Sequence, residues 1–123
     1  MLNNSNYAFG TKLIHAGEAP DPQTGSVAPV LVRSKTFAQY GIGEKGQYEY
    51  SRAKNPTRDI LEEKIARISG GNYATVFATG LAAEASLFLT LKAGDRILCC
   101  NEVYGGTVRL FRNILTPLGI HAD

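Results

Sequence analysis

From residue 55 onward the sequence alternates helix-like and strand-like runs with clear punctuation between them, and this alternation restricts the fold more than any other feature. Asn55-Pro56 reads as an N-cap followed by proline at the first helical position, where a missing N–H costs nothing. Leu61, Ile65 and Ile68 then fall on one face with Ile60 beside them, while Glu63 and Arg67 are spaced for an i, i+4 ion pair on the wet side. Gly70-Gly71 ends the helix as a left-handed C-cap requires. YATVF, residues 73–77, predicts a buried strand. After Ala78-Thr79-Gly80 the run LAAEASLFLTLK predicts a helix buried nearly all round. Gly94-Asp95 punctuates, and RILCC is a second strand-like run. VRLFRNILTPL predicts a third helix with Val108, Phe111, Leu115 and Leu118 on one face, Gly119 at its end, and a last turn distorted by Pro117. This α-β-α-β-α order implies an α/β fold in which parallel strands are joined by helical crossovers. Open sheets of that kind bind ligands at the carboxyl ends of their strands, where the turns Ala78-Thr79-Gly80 and NEVYGGT both lie.

Residues 1–47 contrast with this pattern. Glycines and prolines recur in GEAPDPQTGSVAP, no periodicity is sustained, and the segment has no core of its own. Only VAPVLV, near residues 27–32, reads as a short strand or an extended arm. The 123 residues suffice for one domain or for one piece of a larger one. A net charge of +2 without a basic run gives no electrostatic support for nucleic-acid binding. MLNNSNYAFG lacks the charged and apolar regions of a secretory signal, so the Asn3-Asn4-Ser5 sequon reads as a chance match. No apolar stretch reaches the roughly 18 residues that a membrane span requires. Adjacent Cys99 and Cys100, inside an apolar run, read as small buried side chains, and a reducing cytoplasm fits best.

GIGEKG, Gly41 to Gly46, formally satisfies the dinucleotide fingerprint, yet no buried strand precedes it and no helix follows directly, so it reads as a surface loop. His15 and His121 have no ligand-spaced partners, and no metal site is expected. The turn Phe77 to Leu81 carries more chemistry. A glycine at a helix start admits a ligand to the backbone, and the free N–H groups of the first turn make a ready phosphate site. Taken alone, the same glycine equally fits tight strand-to-helix geometry. In Tyr104-Gly105-Gly106-Thr107 two glycines permit close approach, and the tyrosine either packs or lays its ring on a flat ligand with its phenol free for proton transfer. Tyr48, Tyr50 and Arg52 sit just ahead of the Asn55-Pro56 cap, in place of ordinary small turn residues.

Four motifs in order, HAGEAPDPQTGSVAPV, YEYSRAKNPTR, VFATGLAAEASLF and LKAGDRILCCNEVYGGTVRLF, resemble the N-terminal third of the cystathionine γ-synthase and γ-lyase family of trans-sulfuration enzymes, which use pyridoxal phosphate. The resemblance covers His15 to about Leu118 and implies the aspartate-aminotransferase-type (fold type I) architecture, assembled as homodimers and homotetramers with shared active sites. It implies that residues 1–54 form an arm on the neighbouring subunit and that 55–123 begin the large cofactor-binding domain. Carried over by position, Gly80 and Leu81 would offer backbone N–H groups to the cofactor phosphate, and Tyr104 would stack on the pyridine ring and assist proton movement. Tyr50 and Arg52 would reach the phosphate of the neighbouring subunit's cofactor, and Glu49 would face the substrate.

The chain has Thr79-Gly80-Leu81 where many relatives read Ser-Gly-Met, and Ala53-Lys54 where many read Ser-Gly; the backbone contacts and the cap survive both changes. The YGGT form favours a synthase or cystathionine lyase over methionine γ-lyases, which commonly carry cysteine at the second glycine. None of the six lysines matches the context of the Schiff-base lysine, so these residues alone are expected to be inactive and to represent part of an enzyme. The alternative is a stand-alone, non-catalytic module that binds a phosphate-bearing ligand or a partner subunit. The unsupported arm counts against it.

Overall fold

The computed structural model describes residues 7–123, so the Asn3-Asn4-Ser5 sequon lies outside the described residues. The elements are α1 (Phe9–His15), α2 (Pro56–Ser69), α3 (Gly80–Phe88), β1 (Arg96–Ile97), α4 (Gly105–Leu110) and β2 (His121–Ala122). A π-helical turn, Phe111–Leu115, and a 3-10 turn, Thr116–Leu118, continue α4. The chain forms two compact units, one ending at Val76 and the other spanning Phe77–Asp123.

In the first unit α2 follows the sequence closely. Asn55 Oδ1 accepts from the Thr57 N–H at 2.9 Å, Pro56 opens the helix, and Gly70 closes it at φ +71°, a conformation that glycine adopts without a Cβ penalty. Arg67 and Glu63 pair at 2.5 Å. Three expectations are corrected in this unit. Helix α1 lies where irregular structure was expected; seven residues are too few to show periodicity, and α2 supplies the support, with Lys64 Nζ donating to the Ile14 carbonyl at 3.0 Å and pairing with Glu18. Leu61 is half exposed, because the buried residue of α2 is Ala66. YATVF forms no strand: a ladder needs a neighbour, and the backbone here is anchored by Val76 N–H to Glu62 Oε1 at 3.0 Å, leaving Tyr73 exposed.

VAPVLV is an arm rather than a strand. Val32 donates its N–H to Thr57 Oγ1 at 2.9 Å, and its carbonyl accepts from Asn55 Nδ2 at 3.3 Å. Backbone pairing appears instead between residues 35–37 and 49–51, where Phe37 N–H donates to the Glu49 carbonyl and Ser51 N–H to the Lys35 carbonyl, at 3.0 and 2.9 Å. GIGEKG is a tight exposed turn, closed by Glu44 N–H to the Gly41 carbonyl at 3.2 Å.

Tyr48 braces this region by donating its hydroxyl to Asp59 Oδ2 at 3.0 Å, with Lys54 Nζ 3.4 Å from the same carboxylate. Burial, and then the hydrogen bond and negative charge of Asp59, raise the Tyr48 phenol above the usual tyrosine range. Folding therefore favours the neutral phenol. Its contribution is fully present below the unfolded value of about 10 and is lost as pH rises through the higher folded value. Tyr48→Phe is expected to flatten the fall in thermal stability measured above pH 10; an unaltered alkaline limb would show that Tyr48 is not the group responsible.

In the second unit β1 and β2 pair in parallel, Arg96 opposite His121 and Ile97 opposite Ala122. The ladder continues with Asp123 N–H to the Ile97 carbonyl at 2.9 Å and Cys99 N–H to the Asp123 carbonyl at 3.0 Å. The connection between them is α4 with its irregular continuation, so the expected α/β crossover is present. Leu110, Phe111, Leu115 and Ile120 form the core, with Ala85, Phe88, Leu91, Ile97 and Cys99 against it.

The predicted face of the third helix is shifted. A π turn holds more residues than an α turn, so side chains beyond it rotate, and Leu110 joins Phe111 and Leu115 inside while Leu118 is half exposed. Pro117 sits in the 3-10 turn, as the expected distortion requires. Helix α3 ends at Phe88 and has no fully buried residue, a second correction: α4 covers one flank only, through contacts such as Phe88 with Phe111, whose ring centroids are 5.5 Å apart. Cys99 is half-buried and Cys100 exposed, against the expectation of burial, because RILCC is paired only through Arg96–Ile97 and the Cys99 N–H.

Candidate functional site

The turn Ala78-Thr79-Gly80-Leu81 is built by its threonine. Thr79 caps α3 from an extended backbone (φ −146°, ψ 153°), its Oγ1 accepting from the Ala82 N–H at 3.1 Å while its carbonyl accepts from Ala83 N–H at 3.2 Å. These two bonds leave the N–H groups of Gly80 and Leu81 without a partner among the described residues, as they leave the threonine hydroxyl proton. A Cβ placed on Gly80 would meet nothing within 4 Å. The nine-residue helix thus presents two backbone donors, a hydroxyl and the positive end of its dipole to open space. The capping role of Thr79 was not singled out from the sequence, although a threonine ahead of a helix-opening glycine is an N-cap signal.

Tyr104 precedes α4, and its carbonyl accepts from Thr107 N–H at 2.9 Å and Val108 N–H at 3.2 Å. Its side chain is 72% exposed, and its hydroxyl has no partner among the described residues. The ring is folded back over Gly106: a Cβ at that glycine would lie 2.9 Å from Tyr104 Cδ1 and 3.3 Å from Cζ. Gly106 is itself buried, so the second glycine of YGGT is what allows the ring to occupy this position.

Tyr50, Arg52 and Glu49 belong to the first unit. The Arg52 guanidinium carbon lies 4.6 Å from the Tyr50 ring centroid, and Arg52 makes no hydrogen bond or ion pair among the described residues. Ser51, between them, faces inward: its hydroxyl donates to the Ser34 carbonyl, and its oxygen accepts from Asn55 Nδ2 at 2.8 Å. Arg58 clamps the same turn, donating to the Ser51 carbonyl at 3.2 Å and the Ala53 carbonyl at 2.6 Å. Ser51 and Arg58 were not singled out from the sequence; they hold the turn that keeps Arg52 outward. Glu49 is exposed and pairs with Lys45 at 3.1 Å. Among the described residues no three His, Cys, Asp or Glu side chains are grouped for a metal ion, and no helix is long and apolar enough to cross a membrane.

A parallel crossover with an open helix start at Thr79-Gly80 and an exposed tyrosine ahead of Gly105-Gly106 defines an α/β protein with unpaired polar groups at two turns of one unit. Residues 10–123 match the family described as Cys/Met metabolism PLP-dependent enzyme, and the chain belongs to that family. It is 45% identical over 117 residues to a probable cystathionine gamma-synthase of Herpetosiphon aurantiacus, covering 95% of this chain and 37% of the relative. It is 44% identical over 113 residues to the cystathionine gamma-lyase of Bos taurus, covering 91% and 28%. The crystal structure of cystathionine gamma-lyase from Lactobacillus plantarum, complexed with L-serine, superposes with a TM-score of 0.85 at 41% identity, over 95% of this chain and 30% of that one. The chain therefore spans roughly a third of the length of the relatives it matches. The residues present fit a pyridoxal phosphate: unpaired donors and open space at Gly80 suit the phosphate, and an exposed, unengaged tyrosine suits the ring.

Proposed function

We propose that this chain is the cofactor-cradling N-terminal portion of a pyridoxal-phosphate-dependent trans-sulfuration enzyme that forms or cleaves the C–S bond of cystathionine or a related sulfur amino acid. The observation that carries the reading is the α3 start, where Gly80 and Leu81 N–H are unpaired and a Cβ at Gly80 would meet open space, in a chain of this family. Gly80, Leu81 and the Thr79 hydroxyl hold the phosphate without a formal positive charge, using backbone donors whose direction is fixed by the helix. Tyr104 would stack on the cofactor ring and hold or pass a proton at its phenol oxygen. Arg52, steadied by the Tyr50 ring, supplies the cationic fork for a phosphate bound by a neighbouring subunit, and Glu49 faces the substrate. The bound cofactor supplies an electron sink for a carbanion at the substrate α-carbon.

The whole protein is of fold type I, residues 1–54 lie on a neighbouring subunit, residues 55–123 begin the large domain, and the assembly is a cytoplasmic homodimer or homotetramer. The cofactor-bearing lysine belongs to later sequence. The test uses the product of the complete reading frame. Titration with pyridoxal phosphate is expected to give saturable visible absorbance; a cleaving enzyme is expected to turn cystathionine and water into cysteine, 2-oxobutanoate and ammonia or into homocysteine, pyruvate and ammonia, and a forming one to make cystathionine from cysteine and a homoserine ester with release of the acid. A protein that takes up no pyridoxal phosphate at millimolar concentration would overturn the proposal.

A further inference from the structure

The open N–H groups at Gly80 and the phenol of Tyr104 act on one ligand only if helices α3 and α4, which follow them, keep a fixed register. Apolar contact, such as Phe88 at the end of α3 against Phe111 in the π turn after α4, is less directional than a hydrogen bond. A directional bond joins the middle of α3 to the first turn of α4. Thr107, 6% exposed, donates its hydroxyl to Glu84 Oε2 at 2.6 Å, within the range of a hydroxyl–carboxylate bond. Among the described residues this is the one side-chain hydrogen bond between α3 and α4.

Its placement follows the site. Glu84 is four residues, about 6 Å of helix rise, beyond Gly80. Thr107 is three residues beyond Tyr104, and its N–H already holds the Tyr104 carbonyl at 2.9 Å. Any shift of Thr107 relative to Glu84 therefore carries the Tyr104 turn with it. A carboxylate one turn from a phosphate-binding helix start also opposes an anion electrostatically, and binding Thr107 gives that charge a compensating donor. We infer that Glu84 is a positioning residue which, through Thr107, sets the Tyr104 turn against the Gly80 end of α3. The inference rests on the cofactor reading for its consequence, but the strut itself is measurable without cofactor.

The experiment uses the complete reading frame's product and the variants Glu84→Ala, Glu84→Gln, Thr107→Val, Thr107→Ser and the Glu84→Ala/Thr107→Val pair. In cofactor-free protein, amide exchange of Thr107 and Val108, the two N–H groups bound to the Tyr104 carbonyl, is expected to rise selectively in Glu84→Ala and Thr107→Val. With pyridoxal phosphate, each of these is expected to raise Kd about 5-fold, the order of one net hydrogen bond, and to weaken the circular dichroism of the bound cofactor. The pair should be no worse than either single variant, while Glu84→Gln and Thr107→Ser, which keep the acceptor and the donor, restore wild-type exchange at residues 107 and 108. Unchanged exchange at Thr107 and Val108, a uniform rise across the second unit, or multiplying effects in the pair would each overturn the strut. A wild-type protein that binds no pyridoxal phosphate, yet shows the selective exchange, overturns the cofactor reading and leaves the strut standing.

Discussion

Tyr104→Phe is expected to slow turnover of the complete enzyme at least about 100-fold, the lower end of what a positioned general acid–base contributes, while the absorbance and affinity of bound pyridoxal phosphate stay near wild type. The separation follows from the tyrosine's two surfaces. Its ring face, which phenylalanine keeps, is set by the absence of a Cβ at Gly106. Its hydroxyl has no partner among the described residues, so removing it breaks no internal bond and leaves no buried group unsatisfied. Gly106→Ala is the contrasting variant: the new Cβ forces the ring to swing away, and because the ring is exposed it can do so without unfolding the unit. Spectrum and turnover should then change together. Steady-state kinetics beside cofactor absorbance read both; a Tyr104→Phe enzyme with wild-type turnover would remove the proton role and leave only stacking.

What the sequence revealed and what it concealed divide along a physical line. Helix α2 was legible because its determinants are local: Asn55 caps a donor two residues away, Pro56 fits the first turn, and Gly70 takes the left-handed turn that ends it. The Gly80 turn was legible for the same reason. YATVF was misread because a strand exists only through its neighbours, and the pattern of a run does not say where those neighbours are. The face of the third helix slipped because a π turn at Phe111–Leu115 changes the period that the assignment assumed. The Thr107–Glu84 bond spans 23 residues and the Arg58 clamp crosses a turn; both are tertiary choices for which neither residue type is diagnostic. The sequence named residues with open backbone donors or exposed heads, Gly80, Leu81, Tyr104 and Arg52, and did not name Glu84, Ser51 and Arg58, whose bonds brace the neighbouring turns.

Arg52→Ala is expected to weaken pyridoxal phosphate retention on the order of 10- to 100-fold, as for loss of a hydrogen-bonded cationic contact to a phosphate, with the melting temperature of the cofactor-free protein little changed. Stability is spared because the residue's neighbours do not depend on it. Ser51, Asn55 and Arg58 hold the turn, and Arg52 adds only the 4.6 Å stacking on Tyr50. An unpaired, outward guanidinium beside a fully braced backbone has its strongest chemistry with a group outside its own unit, and an arginine fork complements a phosphate dianion. Arg52→Lys separates charge from geometry: a lysine keeps the attraction but not the two-pronged donor set, so an intermediate affinity is expected. The subunit assignment is read from mixed dimers. Arg52→Ala chains combined with chains disabled at Tyr104 should regain about a quarter to half of the wild-type sites if Arg52 serves its neighbour's cofactor, since one of the two sites then keeps both residues. If Arg52 serves its own chain's cofactor, each mixed site lacks one residue and, at a cofactor concentration that leaves Arg52→Ala sites empty, no activity returns. Undiminished cofactor affinity in Arg52→Ala itself would reduce Arg52 to a surface partner of Tyr50.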